Sequence, residues 1–281
     1  MTETIHKGKI FADTSSLEEI AEIKALLGYL DGVTTNPSNF VKTLMDGTER
    51  VYDQDELLEL YKKRIQEIRS ILPTGSISVE VYADHKTSAE EMIVQAEEMN
   101  TWIEGAHIKL PTIPAGLVAA KELVGKGMNV NLTLVFTEQQ AAAVYVATIG
   151  ARRGQVYISP FIGRLDDTGM RGLDLVKNLV QLYQKGDSHV EILAASIRTG
   201  TQLAAAISAG ADIVTSYPAA IKEWVGLSSS DLQSKTEDGL KSIPYEDTPL
   251  HQSFSVYNIS HPLVDSGLKR FADDWRGLIK S

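Results

Sequence analysis

The stretch Lys9-Ile10-Phe11-Ala12-Asp13-Thr14-Ser15-Ser16 decides between two folds. Its apolar run reads as a strand, and the polar residues after it as the turn into a helix. An open, doubly wound sheet usually carries a Gly-rich fingerprint at that first turn. Here the turn is Asp13-Thr14-Ser15-Ser16, without a glycine. Outward from it, further short apolar runs occupy Gly32–Thr35, Ile77–Tyr82, Ala106–Leu110, Asn129–Thr133, Val156–Phe161, Val190–Ala195 and Asp212–Ser216. Amphipathic stretches lie between them, at Leu17–Gly28, Ser88–Met99, Ala115–Gly125, Glu138–Ile149, Leu173–Gln184 and Thr201–Ala209. Strand–helix alternation implies parallel strands joined by right-handed crossovers. Eight such units predict an α/β protein of the closed (β/α)8 TIM-barrel type.

Two segments break the rhythm. Val41–Leu72 is long and charged, and is expected to hold an exposed loop and a helix ending before Pro73. After Trp224 the alternation stops: Leu227–Thr236 is polar, Ser242–Pro262 carries three prolines, and Leu263–Ile279 reads as helix. The expected organisation is a barrel over residues 1–226 and a C-terminal extension over 227–281, packed on the barrel or on a neighbouring subunit of a homo-oligomer.

Composition narrows the function classes. The 281 residues are 43% hydrophobic, enough for a large core, and 27 Lys plus Arg stand against 37 Asp plus Glu, a formal charge of -10. That balance argues against nucleic-acid binding, which needs a basic surface. An anionic substrate must be held by locally placed Arg or Lys. With no Cys, disulfides, thiolate metal sites and Cys nucleophiles are excluded, and a reducing compartment fits. No apolar run approaches ~18 residues, and the first residues lack an apolar signal region. The expectation is a cytoplasmic protein that does not engage membranes.

In a barrel, function gathers at the C-terminal strand ends, and residues two apart on a strand share a side. The fourth strand reads His107-Ile108-Lys109-Leu110-Pro111. Burial disfavours an ammonium, and a neutral amine in a pocket is a nucleophile toward carbonyls, the start of Schiff-base chemistry. The alternative for Lys109 is a carboxylate partner, or snorkelling at the strand end. His107, one layer deeper, reads as a packed core histidine. Asp13 is either a general base in the barrel mouth or a helix cap, with Thr14 and Ser15 as rivals. Glu80, in a β-branched run, is costly unless partnered. Asn131 and Thr133 share one face of the fifth strand. Ser159 and Arg164 follow the sixth strand and Ser196 and Arg198 the seventh, two Ser–Arg pairs suited to an oxyanion; surface arginine is the alternative. Asn36 either caps the helix beginning at Pro37 or hydrogen-bonds a substrate hydroxyl. The six histidines show no ligand spacing, and neither a dinucleotide fingerprint nor a phosphate-cradling loop is present. No metal and no cofactor are expected.

These strand ends resemble the transaldolase family from about Ile10 to Trp224. The blocks are Phe-Ala-Asp-Thr-Ser at 11–15, Gly-Val-Thr-Thr-Asn-Pro-Ser at 32–38, Ile-Lys-Leu-Pro at 108–111, Asn-Leu-Thr-Leu-Val-Phe at 131–136, Ser-Pro-Phe-Ile-Gly-Arg-Leu-Asp-Asp at 159–167 and Ala-Ala-Ser-Ile-Arg at 194–198. The resemblance implies a Schiff-base lysine at Lys109 and an acid/base at Asp13. It implies that Glu80 and Thr133 handle a catalytic water, and that Asn36 and Asn131 bind the dihydroxyacetone part. Ser159 matches a substrate-contacting serine, and Arg164, Ser196 and Arg198 match the site of a terminal phosphate. Fructose-6-phosphate aldolase, a relative with the same barrel, has Gln at the position of Glu80 and Tyr at that of Phe161, so both positions here are of the transferase kind. Departures occur at Asn39-Phe40, at Thr199-Gly200 and at Tyr217-Pro218, near the anion site and the pocket rim. They leave a sugar sulfonate, as in sulfofructose transaldolases, beside a sugar phosphate as the expected substrate. A silent ligand-binding barrel is the competing class, and the joint presence of Lys109, Asp13, Glu80 and Thr133 argues against it.

Overall fold

Fully buried apolar residues on consecutive short strands, with an amphipathic helix after each, need cover on both faces, and a sheet closed on itself inside a ring of helices provides it. The computed structural model describes residues 8–44, 50–228 and 239–280, and shows that closure. Strands β1 (Lys9–Asp13), β2 (Gly32–Thr34), β3 (Ser76–Glu80), β4 (Ala106–Pro111), β5 (Asn129–Val135), β6 (Val156–Pro160), β7 (Val190–Ile197) and β8 (Ile213–Ser216) are all parallel, and β8 returns to pair with β1. The expected (β/α)8 barrel is therefore the fold.

The helices are α1 (Leu17–Leu27), α2 (Pro37–Leu44), α3 (Gln54–Ile71), α4 (Ala89–Asn100), α5 (Pro114–Gly125), α6 (Glu138–Ala147), α7 (Ile162–Asp166), α8 (Gly172–Tyr183), α9 (Gly200–Ser208), α10 (Pro218–Gly226) and α11 (Pro262–Arg276). Their starts are set by local capping: Ser16, Ser88, Thr137 and Thr199 each accept a backbone N–H from the first turn. As expected, α3 ends before Pro73. Of the loop expected before it, residues 45–49 lie outside the described residues, as do residues 229–238 of the polar stretch after Trp224.

Two strands run further than their apolar pattern. β5 and β7 each contain a register shift, between Leu132 and Val135 and between Ala194 and Ile197. Leu134 and Ser196 sit there at φ 62° and 58°, the left-handed region that side chains disfavour. Such irregularities re-aim strand ends, and both occur at the end where function was expected. β3 instead stops at Glu80, short of Tyr82, and Val81 starts the loop to α4.

The C-terminal segment packs on the barrel of its own chain. Helix α11 lies against α2 and β5. Trp275 is its anchor, with ring centroids 6.0 Å from Phe40 and 5.8 Å from Tyr61. Beyond it, Tyr52 N–H donates to Leu278 O at 2.7 Å and Lys280 N–H to Tyr52 O at 3.0 Å. The helix ends at Arg276, earlier than the expected Ile279.

The lower barrel is held by His107. Its ring stacks on Tyr157 at 4.0 Å, Nε2–H donates to Gly154 O at 3.0 Å, and Nδ1 lies 3.0 Å from Ser76 Oγ, which donates to it. Burial pushes its pKa down from 6.5 to about 4. A base with a depressed folded pKa binds its proton more readily when unfolded, so its neutral burial stabilises the fold above pH 6.5 and that contribution is lost as pH falls toward 4. The full loss amounts to roughly 3 kcal/mol. Urea midpoints measured from pH 7 to 4 should fall more steeply in the wild type than in His107→Gln. Parallel slopes would contradict this assignment.

Candidate active site

The register of the barrel sets Glu80 on β3 beside Lys109 on β4, and Lys109 beside Asn131 on β5. Lys109 and Glu80 are each 4% exposed, and Nζ lies 2.7 Å from Oε2. The contact is a short ion pair whose approach is poorly directed for a hydrogen bond. The carboxylate partner left open as an alternative for Lys109 is thus present, and its amine nevertheless lines a cavity at the C-terminal end of the barrel. The Phe271 ring covers Nζ at 5.8 Å.

Asp13 reaches the same cavity from β1. It does not cap α1, and neither do Thr14 or Ser15: Ser16 does, because the chain stays extended through Asp13 and turns later. Freed from capping, Asp13 Oδ1 accepts from Thr34 Oγ1 at 3.0 Å and Asn39 Nδ2 at 3.0 Å, with Asn36 Nδ2 at 3.5 Å. Thr34 is itself steadied by the Thr215 hydroxyl at 2.7 Å. Burial pushes the Asp13 carboxyl up, and the charge of Lys109 is the strongest opposing influence, followed by Thr34, Lys42 and Asn39. Burial likewise pushes Glu80 up, against Lys109. In both carboxyls, burial and the charge of Lys109 thus act in opposite directions.

Asn36 makes the cap contact that the sequence allowed and also stands at the cavity. Its Oδ1 accepts the Asn39 N–H at 2.8 Å, a cap within α2, while the residue lines the cavity. Asn131 lies just behind, with Nδ2 donating to Ser78 Oγ at 3.1 Å and Oδ1 accepting from Ser159 Oγ at 2.7 Å. Thr133 is fully buried, and its hydroxyl has no hydrogen-bond partner among the described residues. A buried polar atom left unpaired is costly. Of the expected site residues, Asp13, Asn36, Lys109, Ser159, Phe161, Arg164, Ser196 and Arg198 line the cavity, of about 70 Å³. Glu80, Asn131 and Thr133 stand outside its lining, the first two tied to it by the contacts above.

One end of the cavity is cationic. Arg164 is stacked between two rings, Phe161 at 5.3 Å and Phe271 at 5.6 Å. Arg198 is held by Asp167, with Nη2 donating to Oδ2 at 2.5 Å. Sequence reasoning missed Thr34, Ser38, Lys42, Thr215, Arg270 and Phe271, which also line the cavity, and it had named Asn39 and Tyr217 at the pocket rim without giving them a role. Asn36, Asn39 and Lys42 follow helical spacing along α2, a pattern that could have exposed them. Arg270 and Phe271 come from α11, where no strand-end argument applies. A larger groove of about 690 Å³ lies outside the barrel between α3, α4 and α11, and meets the site only at Glu80.

The hydrogen bond from Asn39 lowers the Asp13 pKa, so Asn39→Leu should move the titration midpoint of the Asp13 carboxyl upward, as read by carbon NMR of labelled aspartate. An unmoved midpoint would mean that the bond is not made in solution.

Comparison with known proteins agrees with this geometry. The family model described as Transaldolase/Fructose-6-phosphate aldolase matches residues 10–281, which carries the likeness past Trp224 and through α11. A probable transaldolase of Alkaliphilus metalliredigens is 35% identical over 272 residues, 97% of this chain and 100% of the relative. One from Brucella ovis is 36% identical over 267 residues, covering 95% of this chain and 96% of the relative. One from Lactiplantibacillus plantarum is 37% identical over 270 residues, again 95% and 96% of the two chains.

Proposed function

Because the chain belongs to the transaldolase/fructose-6-phosphate aldolase family, we propose that it transfers a dihydroxyacetone unit from a 6-phosphorylated or 6-sulfonated ketose to an aldose phosphate, through a Schiff base on Lys109. The observation that carries this reading is the buried Lys109 amine facing a cavity between Asp13 and an arginine-lined end. Neither the amine nor the carboxyl beside it is solvated, so a proton can pass from Nζ to Glu80 at little cost and leave a nucleophilic amine.

The amine adds to the C2 carbonyl of the donor. Loss of water from the carbinolamine gives an iminium, with Glu80 and the Thr133 hydroxyl moving the protons. Asp13 then takes the proton of the C4 hydroxyl as the C3–C4 bond breaks. The electrons of that bond flow into the iminium, giving an enamine, and the first aldehyde leaves. The enamine attacks the acceptor aldehyde, Asp13 returns its proton, and hydrolysis frees Lys109. Asn36 and Asn131 orient the three-carbon unit, with Ser159 fixing Asn131. Arg164, Ser196 and Arg198 bind the terminal oxyanion, and that remote binding energy positions the reacting carbons. Glu80 rather than Gln, and Phe161 rather than Tyr, favour transfer over release of dihydroxyacetone.

A covalent carrier requires double-displacement kinetics. Initial rates with a phosphorylated ketohexose and glyceraldehyde 3-phosphate should give parallel reciprocal plots, and Lys109→Ala should lose at least ~10³ of the rate. Full turnover in that variant would refute the carrier role. Product formation at the same rate without an acceptor would assign the protein to aldol cleavage instead.

A further inference from the structure

The cationic end of the cavity contains a guanidinium from outside the barrel. Arg270 lies on α11 and lines the cavity with Arg164 and Arg198. Bringing three guanidiniums to one small space is costly unless an anion enters between them. Their pairing is uneven. Arg198 is clamped by Asp167. Arg164 makes ring contacts and no ion pair among the described residues. The carboxylate nearest Arg270 is Asp274, at 3.9 Å, and that group already accepts a hydrogen bond from Ser38.

The seating of α11 brings Arg270 close to Arg164. At Gly267 an added Cβ would lie 2.6 Å from both Arg164 Nη1 and a methyl of Leu134, so a larger residue there would displace the Arg164 guanidinium. One turn on, Phe271 covers Arg164 and Lys109 together. Burial disfavours the protonated form of Arg164, and the like charge of Arg270 adds to that effect.

We propose that Arg270 is a substrate-positioning residue, a third guanidinium that α11 lends to the barrel to hold the terminal oxyanion of the sugar. This rests on the transfer reading for the identity of the sugar, but not for the binding of the anion. Arg198 shares its charge with Asp167, and Arg164 spends its faces on aromatic rings. Arg270, whose ion-pair contact with Asp274 is long at 3.9 Å and shared with Ser38, keeps charge available to an anion. Its effect should scale with the charge of the ligand, and a doubly charged phosphate gains more from it than a singly charged sulfonate.

The test compares the wild type with Arg270→Gln and Arg270→Lys, substitutions at a half-exposed helix position. Inorganic phosphate is titrated by calorimetry, and KM and kcat are measured for a phosphorylated, a sulfonated and an unsubstituted ketohexose. Phosphate affinity should fall at least ~10-fold in Arg270→Gln and recover in part in Arg270→Lys. KM should rise most for the phosphorylated donor, less for the sulfonated one and least for the neutral one, with kcat far less affected. An unchanged phosphate affinity, or an equal loss for all three donors, would overturn the proposal. The phosphate titration reads the anion site without turnover, so a wild type that binds phosphate but traps no ketose under borohydride would refute the transfer reading and leave this one standing.

Discussion

A lysine and a glutamate that share one water-excluded site are the constraint on which the rest of the site depends. Removing either partner leaves an uncompensated charge inside the barrel, which typically costs 3–5 kcal/mol. As an ion pair, Lys109 and Glu80 fill the centre of the barrel mouth stably. The neighbouring groups surround that pair: Asp13 is raised by burial and steadied by Thr34 and Asn39, and the Thr133 hydroxyl has no hydrogen-bond partner among the described residues. The transfer proposed above requires the pair to exchange a proton, with Glu80 as the acceptor.

Charge is distributed against the overall balance. The chain carries a formal charge of -10, which on average repels an anionic sugar. Locally, Lys42, Arg164, Arg198 and Arg270 face the cavity. They come from α2, from α7, from the loop after β7 and from α11, four segments with no pattern in common along the chain. The left-handed residue Ser196 and the register shift beside it turn the end of β7 toward this pole. Strain is thereby concentrated where the guanidiniums converge, while the lower barrel is packed and hydrogen-bonded through His107.

What was legible in the sequence follows from periodicity. Eight apolar runs separated by helical stretches specify a parallel sheet covered on both faces, the first turn without a glycine favours closure over an open sheet, and strand ends then identify Lys109, Asp13 and Glu80 as inward polar groups. The Lys109–Glu80 contact was legible only as an alternative, because single residues do not reveal which charges meet. Asp13 could not be separated from Thr14 and Ser15 as a cap, since the exact turn into α1 depends on where the extended backbone stops. Asn39 was legible only as a departure at the rim and Lys42 not at all, because helical spacing with Asn36 shows a shared face without showing that this face meets the cavity. Arg270 and Phe271 were out of reach: a helix more than a hundred residues beyond β4 meets Lys109 only through the tertiary packing of Trp275 and Gly267.

The central claim is that the Lys109 amine carries the three-carbon unit covalently. The most direct measurement is peptide mapping by mass spectrometry after reducing the protein with borohydride in the presence of a phosphorylated ketohexose. The account predicts one added reduced three-carbon unit, located on the peptide containing Lys109 and on no other. Modification of a different lysine, or a protein recovered without any adduct, would contradict it.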